Sequence, residues 1–306
     1  MRYKRLDLNL LAALEALLTE RNVTRAAARL NLSQSATSSA LARLREQLDD
    51  ELLVPAGREF RRSSRGEELL PQVRAILAQV DSKLIYDQET DPCSAERRIR
   101  IMTSDYVALA MLGPGLSIIS REAPNLSFEI VSVTNRPWEE IEDYAVDLLI
   151  TPDIYISNRH PSTLFFEDDY VAVACSGNRS VSCALTVDEY LSLPHVSVRL
   201  QREGVLPHDE RFLEQKGLYK ATTLTVRSHA LLPYFVEGTN RIATMQRRQA
   251  TIFTRQFSLK ILELPINIPL IREMFQWHKS SDNDRVLLYL RSRLAEISAH
   301  MQSTHT

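Results

Sequence analysis

Residues 6–66 read LDLNLLAALEALLTERNVTRAAARLNLSQSATSSALARLREQLDDELLVPAGREFRRSSRG. Leu10, Leu11, Leu14, Leu17 and Leu18 recur at the i, i+3, i+4, i+7 spacing that lays one buried stripe along a first helix. Thr24 can cap a short second helix over 25–30, because its hydroxyl can accept from a free backbone N–H just downstream. Ala26, Ala27 and Ala28 leave little bulk there, so another helix can cross closely. Asn31 stands at the exit, where a left-handed residue is wanted and asparagine tolerates it. Ser33 caps a third helix running to about Leu48. Two helices joined by so short a turn form a helix-turn-helix unit.

On the third helix Leu41, Leu44 and Leu48 fall on one face, with Ala40 at its margin, because successive residues turn by about 100°. Gln34, Ser35, Ser38 and Ser39 fall elsewhere. Glutamine can pair bidentately with adenine, and serine hydroxyls donate or accept at base edges and phosphates. A solvated face between two capped helices would look similar, but the neighbouring segment favours DNA. Short extended runs at 52–54 and 59–62 flank Pro55-Ala56-Gly57, a hairpin with Arg58, Arg61 and Arg62 at or beside its tip. Arginines there can lie along phosphates or enter a minor groove. The pattern is a winged helix-turn-helix, and the expected DNA contacts are Thr24, Ser33, Gln34, Ser35, Ser38, Ser39, Arg43, Arg58, Arg61 and Arg62.

The formal net charge of −2 is unevenly spread: residues 1–66 hold 12 Lys+Arg against 8 Asp+Glu, and the remainder 25 against 31. A head at +4 and a body at −6 suit a protein whose polyanion contact is confined to one end. Cys93, Cys175 and Cys183 have no framework spacing, which fits a reduced cytoplasm. The N-terminus lacks a signal peptide's apolar core, and no long uncharged apolar run exists, so neither export nor a membrane span is expected. No G-x-S-x-G, phosphate-cradling glycine loop or His-Glu-x-x-His occurs. The seven histidines lack metal-ligand spacing, so neither metal nor resident cofactor is expected.

Ser64 and Glu67 have capping-box spacing and open a helix of about 24 residues, roughly 36 Å long. Its Leu69, Val73, Ile76, Val80 and Leu84 approach a two-helix seam, since the small head needs no stripe so long. Residues 87–97, DQETDPCSAER, read as a hinge. Beyond them short β-rich runs alternate with helical ones. Strands are expected at 99–103, 127–133 and 147–151, with helices at 107–121 and 138–144; a second set holds strands at 164–174, 195–198, 223–226 and 241–245 with helices near 187–191 and 206–216. Strands at 259–264 and 270–277 and a helix from about 282 to 301 close the chain. This is βαβ grammar, implying a largely parallel sheet.

The order DLNLL…ALLTERNVTRAAARLNLSQSATSSALARLRE…DELLV…GREF…G resembles the N-terminal domain of LysR-type transcriptional regulators. The resemblance continues through the whole chain. It is closest to the branch that holds rhizobial nodulation regulators and regulators of naphthalene, salicylate and chlorinated-aromatic breakdown. Two residues depart from the family's habit: Ser35 stands where proline is frequent, and Thr37 where an apolar side chain is usual. The implied fold is an α/β effector domain of two subdomains, periplasmic-binding-protein-like, preceded by an all-α winged helix-turn-helix and a long linker helix. The implied boundaries are 1–63 for the DNA-binding domain, 64–87 for the dimerisation helix, 88–97 for the hinge and 98–306 for the effector domain. Within the last, one subdomain takes 98–162 and 266–306, the other 163–265.

Transferred by position, the resemblance places a small aromatic inducer against Ser104, Asp105, Thr151, Pro152, His195, Arg199 and His229. For Ser104 and Asp105 a helix cap reads equally well, and Phe275 and Trp277 read as core alternation. A neutral imidazole beside an apolar cleft can hydrogen-bond a phenol or carboxylate. The implied partners are operator DNA, a homodimer or homotetramer of the chain, and RNA polymerase. The implied role is activation of a catabolic or symbiotic operon from the cytoplasm. Two other readings stay open: a regulator whose α/β domain serves only assembly, and an enzyme with a regulatory head, for which no nucleophile–base pair is visible.

Overall fold

The computed structural model describes residues 8–57, 59–80, 91–181, 184–199 and 206–303. Arg58, Cys183, Leu84 and the far end of the expected linker helix lie outside them, as do residues 88–90 of the expected hinge. The chain divides into two compact units, Met1–Thr90 with Glu139–Val146, and Asp91–Trp138 with Asp147–Thr306. The segment 139–146, expected in the effector domain, groups with the first unit, where Asp143 feels the Arg74 charge.

In the first unit, α1 (Leu8–Glu20) buries all five leucines of the expected stripe. α2 is Val23–Arg29, and its cap is Asn22 rather than Thr24. The Asn22 carboxamide oxygen accepts from Arg25 N at 3.0 Å. Asparagine caps at least as well as threonine, so the helix starts earlier and Thr24 lies inside its first turn. Ala26 and Ala27 are buried, whereas Ala28 is exposed. Asn31 takes the left-handed conformation at φ 54°. α3 (Gln34–Leu48) is capped by Ser33, whose Oγ accepts from Ala36 N at 3.1 Å. Thr37 is fully buried in that helix. Its hydroxyl finds an acceptor in Ser33 O at 3.1 Å, which is what a buried polar group requires.

β1 (Leu53–Ala56) and β2 (Glu59–Arg62) form the antiparallel wing, with Ala56 opposite Glu59 and Gly57 supplying the positive φ of its tip. α4 (Ser64–Val80) follows, capped by Ser63 instead of Ser64. Ser63 Oγ accepts from Gly66 N at 2.9 Å, and Glu67 is drawn to Arg62 at 2.8 Å rather than reaching back to the cap. Leu69, Leu70 and Val73 are buried in the head's own core with Leu77 packed beside them, leaving Ile76 exposed. The first half of the stripe therefore serves the head itself. Among the described residues of the expected seam, only Ile76 is left exposed.

The second unit holds two five-stranded sheets. The first has the order β4 (Leu126–Ser132), β3 (Arg97–Thr103), β5 (Leu148–Pro152), β12 (Ile271–Gln276), β6 (Ser162–Asp168). The second has the order β11 (Leu259–Leu262), β7 (Tyr170–Cys175), β10 (Ile242–Gln246), β8 (His195–Val198), β9 (Thr222–Val226). Both are mixed rather than largely parallel. β3 runs parallel to β4 and β5, and β8 parallel to β9 and β10, but β12, β7 and their outer partners are antiparallel.

The expected strand 164–174 is two strands, broken at Asp169, and the first stays in the first sheet beside β12. The crossover therefore lies between Asp168 and Tyr170 and not at 162. The run FFEDDYVAVA contains neither glycine nor proline, so its break is marked only by charge. The return falls between Leu262 and Ile271.

The remaining helices are α5 (Asp105–Val107), continued through a π-helical turn Ala108–Leu112 into α6 (Gly113–Glu122), then α7 (Pro137–Glu142), α8 (Val187–Ser192), α9 (His208–Gln215), α10 (Leu232–Val236), α11 (Arg247–Thr254) and α12 (Arg285–Ser303). A Cβ on Gly115 would come within 2.6 Å of Leu294 Cδ2, so glycine there is what lets α12 lie close to α6. Among the described residues no helix is long and apolar enough to cross a membrane.

Candidate nucleic-acid interface and effector cleft

α3 buries Thr37, Leu41 and Leu44 and turns Gln34, Ser35, Ser38, Ser39 and Arg43 to solvent. Ser39 Oγ donates to Ser35 O at 3.0 Å, and Ser33 Oγ shares a hydrogen bond with Ser35 Oγ at 3.0 Å. Ser33 thus caps the helix, and Gln34 opens its first turn with both carboxamide functions at the protein surface. Thr24 is exposed on the first turn of α2, and Arg61 on the wing.

Arg62 behaves differently from expectation. Its Nη1 donates to Leu18 O at 3.0 Å and its Nε lies 2.8 Å from Glu67, which fastens the wing to α1 and α4. Neighbouring residues of a strand point to opposite faces, so Arg61 and Arg62 cannot both face outward. Arg45, not singled out from sequence, ties the end of α3 to the wing by donating to Glu51 O and Leu53 O, each at 2.8 Å.

In the second unit the parallel strands direct their carboxyl ends, Thr103, Pro152, Val198, Val226 and Gln246, toward the crossover, the place where open α/β folds bind ligands. Ser104 caps α5 through Val107 N at 3.3 Å. Asp105 reaches the loop after β9, accepting from Ser228 Oγ at 2.5 Å and Ala230 N at 3.0 Å and pairing with His229 Nδ1 at 2.8 Å. Two expected ligand residues are therefore brought together, against each other, as a clasp between the subdomains. Burial alone would raise the Asp105 pKa, but His229, Ser228 and the Ala230 N–H outweigh it and hold the carboxyl well below its ordinary range. Thr151 is buried at the end of β5, followed by half-buried Pro152.

His195 departs from expectation. It begins β8, about 10 Å from that strand's carboxyl end at roughly 3.3 Å per residue, and is fully buried. Its Nε2 is 2.6 Å from Tyr190 O, and its ring meets Tyr190 edge-on at 5.0 Å. Burial lowers its pKa to about 4, so the ring is neutral. Its Nδ1 is buried without a partner, and its place at the amino end of β8 sets it apart from the carboxyl ends of the strands. Arg199 lies past the correct end of β8, exposed and 3.3 Å from Glu210.

The crossover holds groups that the sequence reading missed. Asp168, buried at the end of β6, accepts from Tyr106 Oη at 2.6 Å and from Arg248 N at 3.3 Å, with Arg248 Nε 3.9 Å away. Arg248 also stacks over Phe166, 5.5 Å from the ring centre. Glu273 is buried on β12 opposite Pro152. Burial raises the Asp168 pKa to about 6, against the opposing pull of Tyr106 and Arg248. Burial, helped by Asp168 and Asp153, raises that of Glu273 to about 8. Among the described residues, buried side-chain atoms without a hydrogen-bond partner occur in several parts of the chain, His195 Nδ1 among them, and five of them gather near the crossover: Glu273 Oε2, Thr103 Oγ1, Gln246 Oε1 and both Gln249 amide atoms. Thr103 and Gln246 end β3 and β10, Glu273 lies within β12 opposite the end of β5, and Gln249 is in the first turn of α11. Glu273 was legible in principle: period-2 alternation puts it on the same face as Ile271 and Phe275, an acid on an apolar face.

Residues 8–67 match the family model described as a bacterial regulatory helix-turn-helix protein of the lysR family, and residues 94–297 match the LysR substrate binding domain. The chain is 38% identical to Nodulation protein D 1 of Mesorhizobium japonicum over 303 residues, 99% of this chain and 96% of that protein. It is 38% identical to Nodulation protein D 2 of Bradyrhizobium diazoefficiens over 304 residues, 99% of this chain and 92% of that one. A probable transcriptional regulator from Pseudomonas aeruginosa superposes with a TM-score of 0.78 at 26% identity, covering 95% of this chain and 97% of the other. Full-length CbnR complexed with its target DNA shares the fold at a TM-score of 0.64 and 11% identity, covering 95% and 99%.

Proposed function

We propose, for a chain that belongs to the LysR family of bacterial helix-turn-helix regulators and to its nodulation-regulator branch, a ligand-gated activator of a symbiotic or catabolic operon. It is a DNA-binding transcriptional regulator and not an enzyme. In this reading a homodimer or homotetramer sets two α3 helices over an interrupted palindrome near a promoter. Gln34, Ser35, Ser38 and Ser39 read base edges, with Thr24, Arg43 and Arg61 on phosphates, and RNA polymerase is the downstream partner.

The effector is a small aromatic compound held at the crossover. What supports this is the group of buried, partnerless polar atoms near the crossover, Thr103 Oγ1, Gln246 Oε1, the Gln249 amide and Glu273 Oε2, in the same region as the Asp105–His229 clasp. Buried polar groups are ordinarily paired, and a phenolic or carbonyl ligand would pair them. A ligand that contacts these atoms more closely in one subdomain angle than another shifts the population by that difference in affinity, and by no more.

Thermal unfolding of the full chain against aromatic acids, phenols, flavonoids and chlorinated aromatics tests the reading. A binder at about 100 times its Kd adds roughly 2.7 kcal/mol. The stabilisation should vanish in Gln249→Ala and survive in His195→Gln. No stabilisation by any compound would point to a ligand-independent regulator whose α/β part serves assembly.

A further inference from the structure

Glu15 lies at the centre of α1, buried, where a carboxylate is costly unless it is paired. Its Oε2 accepts from Arg29 Nη2 at 2.6 Å, at the last residue of α2. Its Oε1 accepts from Arg74 Nε at 3.3 Å, on α4, and from Thr19 Oγ1 at 2.8 Å. Arg74 Nη2 donates in turn to Thr19 Oγ1 at 3.0 Å, and Arg29 Nη1 lies 3.7 Å from Glu20. One carboxylate therefore holds two helices that do not follow one another in the chain: α2, which leads directly into the reading helix, and α4, the linker.

The apolar contacts between α1 and α4, through Leu69, Leu70 and Val73, do not fix an angle by themselves. Burial is non-directional, and leucine-rich surfaces tolerate small rolls and slides. Charge-assisted hydrogen bonds to guanidinium are directional, and a buried ionic group fixes register more readily than it adds stability. The two arms of Glu15 leave on opposite oxygens, so a shift of α2 relative to α4 lengthens or bends one arm or the other.

We propose that Glu15 is the positioning residue that fixes the angle between the linker helix and the helix-turn-helix, and so sets the distance between the two reading helices of a dimer. The proposal rests on the DNA-reading function and on pairing of the linker helices. Glu15→Gln keeps the shape but leaves one acceptor oxygen, so an amide N–H₂ faces a guanidinium and one arm opens. Half-site sequence, read by α3, is unaffected.

The test is selection from a random duplex library with the full-length wild type, Glu15→Gln, Arg29→Gln and Arg74→Gln, followed by titration of selected duplexes carrying one or two half-sites. The wild type should enrich paired half-sites at one spacing. Glu15→Gln should enrich the same half-site over several spacings and lose about tenfold or more on the two-site duplex, because simultaneous engagement is what geometry controls. Its affinity for the single half-site should stay within about twofold. If Glu15→Gln does not fold, Arg74→Gln, which removes the linker arm together with the Arg74 contact to Thr19 and leaves the Arg29 arm in place, should give the same broadened spacing. A single sharp spacing, or equal losses on one-site and two-site duplexes, would reduce Glu15 to a stability residue and overturn the proposal. A wild type that enriches no paired half-sites would overturn the DNA reading itself, and the proposal with it.

Discussion

Helix α3 turns Gln34, Ser35, Ser38 and Ser39 to solvent, whereas the crossover buries Asp168, Glu273, Gln246 and Gln249. In the head, polar side chains wait at a surface whose backbone is settled by caps and leucines beneath it. At the crossover, polar side chains are themselves interior, and burial, not exposure, sets their chemistry. A surface reader can be altered one residue at a time with little effect on folding. A buried cluster carries its functional groups at a cost to stability that varies with pH.

The largest expected effect is therefore at Glu273. Its pKa is raised from the ordinary 4.5 to about 8. A carboxyl whose folded-state pKa is raised binds its proton more tightly in the native than in the unfolded state. The native chain is thus favoured below about pH 4.5 and loses stability from this group as pH rises toward about 8. Glu273→Gln removes that loss, on the order of several kcal/mol above pH 8. Melting temperature followed from pH 5 to 9 should fall in the wild type and flatten in the variant; parallel curves would mean that Glu273 is not neutral in the fold.

Next comes the clasp. Asp105→Ala deletes three acceptor contacts and should lower stability by roughly 2 to 3 kcal/mol, read as a denaturation midpoint, without changing DNA affinity in the absence of ligand. On the reader side, Gln34→Ala should relax discrimination at one base pair by about 1 to 3 kcal/mol with no loss of stability. Arg61→Ala should weaken all sequences and lower the salt slope by about one. Smallest is the cap: Asn22→Ala should destabilise the head by about 1 kcal/mol, and Thr24→Ala by no more than a few tenths.

The same contrast explains what could be read from the residues alone. Leucine spacing in α1, the Ser33 cap, the left-handed Asn31 and the buried Thr37 are local or periodic properties, and the head's architecture follows from them. Its errors, Thr24 for Asn22 and Ser64 for Ser63, are choices between nearby cap residues. At the crossover, Asp105 and His229 were legible as candidates but not as partners, because 124 residues separate them. His195 was assigned by positional transfer, which does not reveal that the residue stands at the amino end of β8 rather than at the carboxyl end. The break at Asp169 and the burial of Asp168 depend on β12 arriving beside β6 from about a hundred residues later, which no local pattern announces.

If the two regions are coupled, a ligand at the crossover alters what the head does on DNA. The decisive experiment takes any compound that raises the melting temperature of the full chain and measures affinity and footprint on a selected two-half-site duplex with and without it. Affinity or footprint length should change in the wild type, and Gln249→Ala, which no longer binds the compound, should show neither change. A compound that binds the wild type at the crossover and leaves both affinity and footprint unaltered would contradict the coupling.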